Sequence, residues 1–225
     1  MLEVKDIQKK YGKRTILDSV TFSIKPGERV ALVGRNGCGK TTLMQILSGS
    51  MTPSAGEITF FGQNPLKNHK LFKQYCGYVP QENPLLEELS VYDNLRLWGV
   101  HKCPNYEYII DRFELRSIMK MQVKKLSGGM KKRLSIACAV SSWPPILLLD
   151  EPTTALDIFY KESIEEWLSE YQNLNGMVLI STHEEAEIKL CDRCLFLDKG
   201  RVVPIENGDN VMNDIRKLLK SITKV

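Results

Sequence analysis

Lys40 and Thr41 close the stretch Gly34-Arg35-Asn36-Gly37-Cys38-Gly39-Lys40-Thr41-Thr42, which fits the spacing G-x-x-x-x-G-K-[ST]. Glycines at this spacing let successive backbone N–H groups curl inward around an anion, so Gly34, Asn36, Gly37, Cys38, Gly39 and Thr42 form a cradle for phosphates. The Lys40 ammonium adds a mobile point charge for the β- and γ-phosphates, and the Thr41 hydroxyl is placed to ligate Mg²⁺. A plain glycine-rich turn is the alternative. The setting argues against it: Val30-Ala31-Leu32-Val33 before the loop and Leu43, Ile46 and Leu47 after it give the strand, loop and helix that aim a helix dipole at phosphates.

Two carboxylates suit the same chemistry. Ile146-Leu147-Leu148-Leu149 is continuously apolar, as a parallel strand covered on both faces is, and runs straight into Asp150-Glu151-Pro152. Desolvating a carboxylate at such a strand end costs several kcal/mol, on the order of its hydration loss after relaxation, unless a cation or donors meet it. Mg²⁺ on the phosphates meets Asp150, which leaves Glu151, facing elsewhere, to act as a base. Met177-Val178-Leu179-Ile180-Ser181-Thr182-His183 is a second buried strand with a histidine at its carboxyl edge. A lone histidine is usually structural, but at the ligand-binding edge of a parallel sheet it can reach a terminal phosphate. Tyr11 is unremarkable as an exposed loop tyrosine, yet its ring could stack on adenine.

Leu126-Ser127-Gly128-Gly129-Met130 precedes an apolar-periodic run, so Ser127 reads as a helix start with free N–H groups. The first loop already holds the phosphates, and on local grounds a capped helix beside a solvated basic face is the plainer reading. Cys38 lies in the phosphate cradle, where an electropositive surround would lower its pKa; that the position simply tolerates cysteine is the plainer reading.

The elements that must position these groups are readable in outline. Leu2–Ile7 and Val20–Ile24 alternate as half-buried strands, with Tyr11-Gly12-Lys13 between them and a turn at Lys25-Pro26-Gly27-Glu28. Glu57–Gly62 and Cys76–Val79 read as short strands. From about Glu82 to Ser142 the pattern is helical: Ser90 caps a helix carrying Val91, Asn94, Leu95 and Trp98, and Tyr108–Met121 keeps helical spacing. A strand at Leu195-Phe196-Leu197, a hairpin at Lys199-Gly200-Arg201 and a turn at Asn207-Gly208-Asp209 lead to a last helix. That helix has Val211, Ile215, Leu218, Leu219 and Ile222 on one side and Arg216, Lys217, Lys220 and Lys224 on the other, a pattern that favours docking on its own domain over a membrane.

The 225 residues suffice for one or two domains, and 43% hydrophobic with 26% charged residues describe an ordinary globular protein. A net charge of +4 is too mild to argue for nucleic acid. No apolar run reaches the roughly 20 residues that span a bilayer, and the start is no signal peptide, so a cytosolic chain is expected. The six cysteines then read as reduced thiols, and Cys191-x-x-Cys194, which leads into a strand, as small buried residues rather than a zinc or redox pair.

Taken together the pieces resemble the ATP-binding-cassette (ABC) ATPases, over essentially the whole chain and in the family's order. They are Tyr11, the loop at Gly34–Thr42, Gln81, LSGGM at Leu126–Met130, ILLLDEP at Ile146–Pro152, TALD at Thr154–Asp157 and STHE at Ser181–Glu184. LSGG is the diagnostic element. The resemblance implies an α/β fold: a P-loop NTPase (RecA-like) core with a mainly parallel sheet, an N-terminal antiparallel β portion and an inserted α-helical subdomain. Residues 1–81 and 143–225 would form the core and 82–142 the insertion. It implies ATP as nucleotide with Mg²⁺ held by Thr41, Gln81 and Asp150, Glu151 polarising the attacking water, Lys40 neutralising the phosphates and His183 contacting the γ-phosphate. Two such domains would lie head to tail, each ATP shared between one loop and the partner's Ser127-Gly128-Gly129, with Asp157 coupling the two sites. Integral membrane permease subunits would dock near Gln81–Tyr92 on the inner face of the membrane. LSGGMKKRLSIA, with Met130 in place of the glutamine of many importers and Ala137-Cys138-Ala139-Val140 further on, looks more like small exporters. The chain's end soon after the core also lowers the odds of an importer. An importer subunit, or a soluble ABC ATPase with no transport role, are the alternatives.

Overall fold

Val30-Ala31-Leu32-Val33 is apolar without alternation because both faces of its strand are covered, and the same holds for Ile146–Leu149 and Met177–Ile180. A computed structural model describes residues 1–153, 156–206 and 210–222, the last two of these without their side chains. The chain opens on a hairpin of β1 (Leu2–Tyr11) and β2 (Arg14–Ile24), turned at Gly12 with φ +58. β3 (Arg29–Val33) feeds the phosphate loop and α1 (Lys40–Leu47); β4 (Ala55–Phe60) returns to pair antiparallel with β1. α2 (Lys70–Tyr75) and β5 (Cys76–Val79) come next, then α3 (Val91–Leu97), α4 (Tyr106–Arg112) and α5 (Gly128–Ala139) with short 3-10 turns between them. β6 (Ile146–Asp150), α6 (Ile158–Asn173), β7 (Met177–Ser181), α7 (Glu185–Lys189), β8 (Arg193–Asp198), β9 (Arg201–Glu206) and α8 (Val211–Ile222) complete the order.

Two sheets result, a three-stranded antiparallel one in the order β2-β1-β4 and a six-stranded one in the order β5-β6-β7-β3-β8-β9. The larger sheet is parallel except for the β8–β9 hairpin. Alternate residues of its strands enter different cores. Ile146, Leu148, Met177, Leu179, Val30 and Leu32 pack with α1 and the small sheet, whereas Leu147, Leu149, Val178 and Ile180 pack with α5 and α6. Ala31, Val33, Cys194 and Phe196 meet Val211 and Ile215 of α8, so the amphipathic helix docks on its own chain as its pattern favoured.

Between β5 and β6 the ordered elements are α3, α4, α5 and short 3-10 turns, with no strand among the described residues. Three local expectations change. Tyr11 is the last residue of β1 rather than part of a loop, because β1 and β2 stay paired up to Tyr11↔Arg14. The helical spacing at Tyr108–Met121 breaks after Arg112, where Glu114 adopts φ +51, and resumes only as a 3-10 turn at Arg116–Ile118. Ser90 caps α3, its Oγ accepting the Asp93 N–H, but Trp98 lies past the helix end and is exposed while Val91, Asn94 and Leu95 are buried. Thr154 and Ala155 of the TALD motif, the turn at Asn207-Gly208-Asp209, Lys224 and the Ile222 side chain lie outside the described residues. Among the described residues no helix is long and apolar enough to cross a membrane. All six cysteines are free, and Cys191 and Cys194 are buried thiols pushed up in pKa by burial, Cys194 to about 11.

Candidate functional site

The parallel strands β3, β5, β6 and β7 all end at one edge, and the loops leaving them converge there. A cleft of about 710 Å³ results, lined by Asn36, Gly37, Gly39, Lys40, Thr41 and Thr42 of the phosphate loop, Gln81 after β5, Glu151 after β6 and His183 after β7. The hairpin of the small sheet closes its other end with Tyr11, Arg14 and Ile16. Arg14 and Ile16 were not foreseen; they sit on the strand paired with the end of β1, and only the register brings them here.

Gly37 at φ +76 and Gly39 at φ +112 hold the left-handed backbone that turns the loop's amides inward, a conformation costly to residues with a Cβ. Gly34 is needed for a different reason. A Cβ there would strike the Leu197 carbonyl and lie 2.7 Å from the Cys38 sulfur. Helix α1 starts at Lys40 with no side-chain cap and no acid in its first turn, leaving its N–H groups for an anion. Lys40, only 7% exposed, donates from Nζ to the Gly34 carbonyl at 2.8 Å and the Arg35 carbonyl at 3.3 Å. The same ammonium lies 3.1 Å from His183 Nε2.

Glu151 sits at the centre of this edge. Its Oε2 accepts from Gln81 Nε2 at 2.9 Å and its Oε1 lies 3.7 Å from His183 Nε2. Its backbone takes φ +49, while its N–H donates to the Ser181 carbonyl at 2.9 Å. A left-handed non-glycine residue costs on the order of 1–3 kcal/mol and persists where surrounding structure over-determines it, often at functional sites. Asp150, one residue earlier, is 1% exposed, and its Oδ2 has no hydrogen-bond partner among the described residues. A buried carboxylate with a free oxygen suits a nearby cation, and Thr41 and Gln81, which line the cleft, carry further oxygens that could hold Mg²⁺. The Gln81 amide nitrogen is engaged by Glu151, so its oxygen is the end that would face the metal. Among the described residues no group of three or more His, Cys, Asp or Glu could hold a metal ion.

Electrostatics separate the titratable groups. Burial, reinforced by the Lys40 charge and partly offset by Glu151, lowers the His183 pKa from its ordinary value. Lysine offers only donors, so Nε2 of a neutral His183 accepts and the ring proton resides on Nδ1. Cys38 fits the plainer reading: burial raises its thiol pKa, outweighing the opposing pull of Lys40. Behind the site, buried Glu187 accepts from Thr153 Oγ1 at 2.6 Å and also bonds the Thr182 hydroxyl, tying the chain after Glu151 to the chain before His183. Lys132 reaches the Pro80 carbonyl at 3.4 Å, beside Gln81.

Ser127, Gly128, Gly129 and Asp157 do not line this cleft. Ser127 caps α5, its Oγ accepting the Met130 N–H at 3.2 Å, and that helix also has no acid in its first turn. Asp157 caps α6, its Oδ1 accepting the Tyr160 N–H at 3.1 Å. The structure thus carries a second exposed helix start apart from the phosphate loop.

Residues 17–154 match the profile of the family described as ABC transporter. The chain is 35% identical to the lantibiotic transport ATP-binding protein SrtF of Streptococcus pyogenes, over 95% of this chain and 93% of that protein. It is 36% identical to the Nod factor export ATP-binding protein I of Sinorhizobium fredii, over 90% of this chain and 61% of that protein. It is 31% identical to the spermidine/putrescine import ATP-binding protein PotA of Mycoplasma mycoides, over 95% of this chain and 63% of that protein. The chain therefore spans under two thirds of the length of the latter two. Among solved structures it superposes with a TM-score of 0.83 and 27% identity on the ATP-binding cassette MJ0796, a dimeric post-hydrolysis state bound to ADP and Pi, covering 92% of this chain and 98% of that one.

Proposed function

Because the chain belongs to the ABC transporter family, we propose that it is the ATP-binding and ATP-hydrolysing subunit of a transporter, which dimerises on MgATP to drive export through a separate membrane permease. The observation that carries this reading is the convergence of Lys40, Gln81, Glu151 and His183 on one cleft. The start of α5 at Ser127 and Gly128 is exposed and lies apart from that cleft, which supports a role at a second copy's nucleotide.

In this reading the phosphates lie on the loop amides and on Lys40, whose ammonium is already aimed over the loop. Thr41, Gln81 and Asp150 would hold Mg²⁺, which when bound offsets phosphate charge. Tyr11, half-exposed at the far end of the cleft, stacks on adenine, with the Lys9 ammonium 5.2 Å from its ring centroid. Glu151 accepts the proton of the attacking water, oriented by Gln81, and neutral His183 contacts the γ-phosphate. Phosphoryl transfer needs mainly positioning and charge stabilisation, which this set supplies.

The partner copy's Ser127, Gly128 and Gly129 close over the γ-phosphate, and Asp157 lies across the interface. A helix dipole contributes roughly 0.3–1 kcal/mol in solvent, so this contact gains weight only when closure excludes water. Domains 1–81 and 143–225 act as the nucleotide-binding core and 82–142 as the arm that carries the signature. Leu86, Leu89 and Tyr92 are exposed in the segment proposed to meet the permease, and that segment is tied to α5 by Lys131–Glu87 at 2.6 Å. Export is favoured by Met130 in the signature, while relatives named for export and for import are both similar to the chain. The membrane location follows from permease docking. Co-expression with the membrane protein encoded beside it tests the whole reading: the chain should sediment with membranes and load inside-out vesicles with substrate on MgATP addition. A chain that stays in the supernatant, or uptake in the opposite sense, would contradict transport coupling or export respectively.

A further inference from the structure

We infer that Tyr160 is a positioning residue that pins the Ser127–Gly129 end of α5 to the Asp157 end of α6. The inference rests on the shared-nucleotide reading above, since only there do both helix starts meet a nucleotide. Tyr160 lies in the first turn of α6 and engages three groups. Its backbone N–H donates to Asp157 Oδ1 at 3.1 Å. Its ring abuts Gly129, where an added Cβ would fall 2.8 Å from Cδ2 and 3.1 Å from Cε2, closer than a side chain tolerates. Its ring also carries the Arg133 guanidinium, 4.3 Å from ring centroid to carbon.

Gly129 and Arg133 stand four residues apart on α5 and so share one face of that helix. The tyrosine ring fills the space between them. Arg133 is held from another side by the Glu114 carboxylate, and it is 4% exposed with no partner for Nε among the described residues. A guanidinium so desolvated gains from an aromatic face more than it would at the surface. The ring therefore fixes how far α5 advances relative to α6. Backbone donors stabilise a phosphate only when aimed at the position its charge occupies, so a shift of this contact changes the signature without touching the phosphate loop.

The variant Glu151→Gln, which should hold ATP without turnover, provides the assay background. Full-length protein is titrated with MgATP and dimerisation followed by light scattering, beside the affinity of the monomer for a fluorescent ATP analogue. Adding Tyr160→Ala should raise the MgATP needed for half-dimerisation about tenfold, the scale of losing one desolvated cation–π contact, with monomer affinity held within about twofold. Tyr160→Phe, which keeps the ring, should stay within about twofold of the parent on both. Gly129→Ala should impair dimerisation more with the tyrosine present than in the Tyr160→Ala background, because the two side chains then compete for one space. Unchanged dimerisation in Tyr160→Ala overturns the inference while leaving the shared-nucleotide reading intact. So does a parallel loss of monomer affinity, which marks general loosening, and so do equal effects of Gly129→Ala in both backgrounds. A Glu151→Gln parent that stays monomeric at saturating MgATP overturns the shared-nucleotide reading and this inference with it.

Discussion

Gln81 donates from Nε2 to Glu151 Oε2 at 2.9 Å, so the segment leaving β5 holds the carboxylate leaving β6. The two strands are parallel neighbours, Val79 opposite Leu149, and their loops emerge side by side at the sheet edge. Glu151 is therefore oriented by backbone strain from within, at φ +49, and by an amide from outside. A carboxylate fixed from both directions suits the role proposed for it, accepting a proton from a water in a defined place.

Replacing Glu151 by Gln keeps the shape and removes the base. Turnover should fall by about 10²–10⁴-fold, the usual contribution of a general base, while ATP affinity stays near the wild-type value. Single-turnover hydrolysis beside equilibrium nucleotide binding separates the two. Near wild-type hydrolysis would rule out the base assignment.

Lys40→Ala removes the ammonium that Gly34 and Arg35 hold over the loop. Charge-assisted hydrogen bonds are worth about 1.5–3 kcal/mol, so ATP binding should weaken roughly 10–150-fold. Calorimetric titration measures it, and circular dichroism confirms that the fold survives. Unchanged affinity would contradict the phosphate-cradle reading.

His183 should stay neutral to lower pH than a free histidine. Burial and the neighbouring Lys40 charge lower its pKa in the folded chain, against a smaller raising effect of Glu151. The sign follows: its contribution to stability is complete above the ordinary value near 6.5 and is lost as pH falls through the lower folded value. Histidine NMR titration, with His183→Asn to assign the signal, should place the midpoint below 6.5. A midpoint at or above that value would mean that burial and the Lys40 charge do not disfavour the imidazolium.

What was legible in the sequence is what is local. The phosphate loop is a contiguous motif whose glycines need particular φ values, and the buried strands are contiguous apolar runs, so both were readable residue by residue. Tyr11 was recognisable as a residue but misplaced, because strand pairing past Lys9 depends on the partner strand and not on alternation in β1. Helix α6 left a signal that went unread: Ile164, Trp167, Leu168 and Tyr171 are its buried face at helical spacing. Glu187 gave none, since Glu184 and Glu185 beside it are exposed and a run of glutamates reads as solvated. Its buried bridge to Thr153 and Thr182 arises only when β6 and β7 lie side by side. For Cys38 the charge of Lys40 was visible in the sequence, but the burial that outweighs it was not.

Arg29, at the start of β3, shows how the phosphate loop is anchored from its far end. Its guanidinium is 2% exposed and pairs with Glu165 of α6 at 2.6 Å, with a further bond to Ser169. Glu165→Ala would leave that charge buried and uncompensated, a loss of about 3–5 kcal/mol, whereas replacing both partners by apolar residues of similar volume should cost far less. Urea denaturation should show the single variant's midpoint well below wild type and the Arg29→Met/Glu165→Leu pair recovering most of the difference. Because the pair lies at the opposite end of β3 from Lys40, ATP affinity of whatever remains folded should not change. If the single variant is as stable as wild type, the ion pair does not hold β3 to α6, and packing of the sheet against α6 through Trp167 and Leu168 must do so alone.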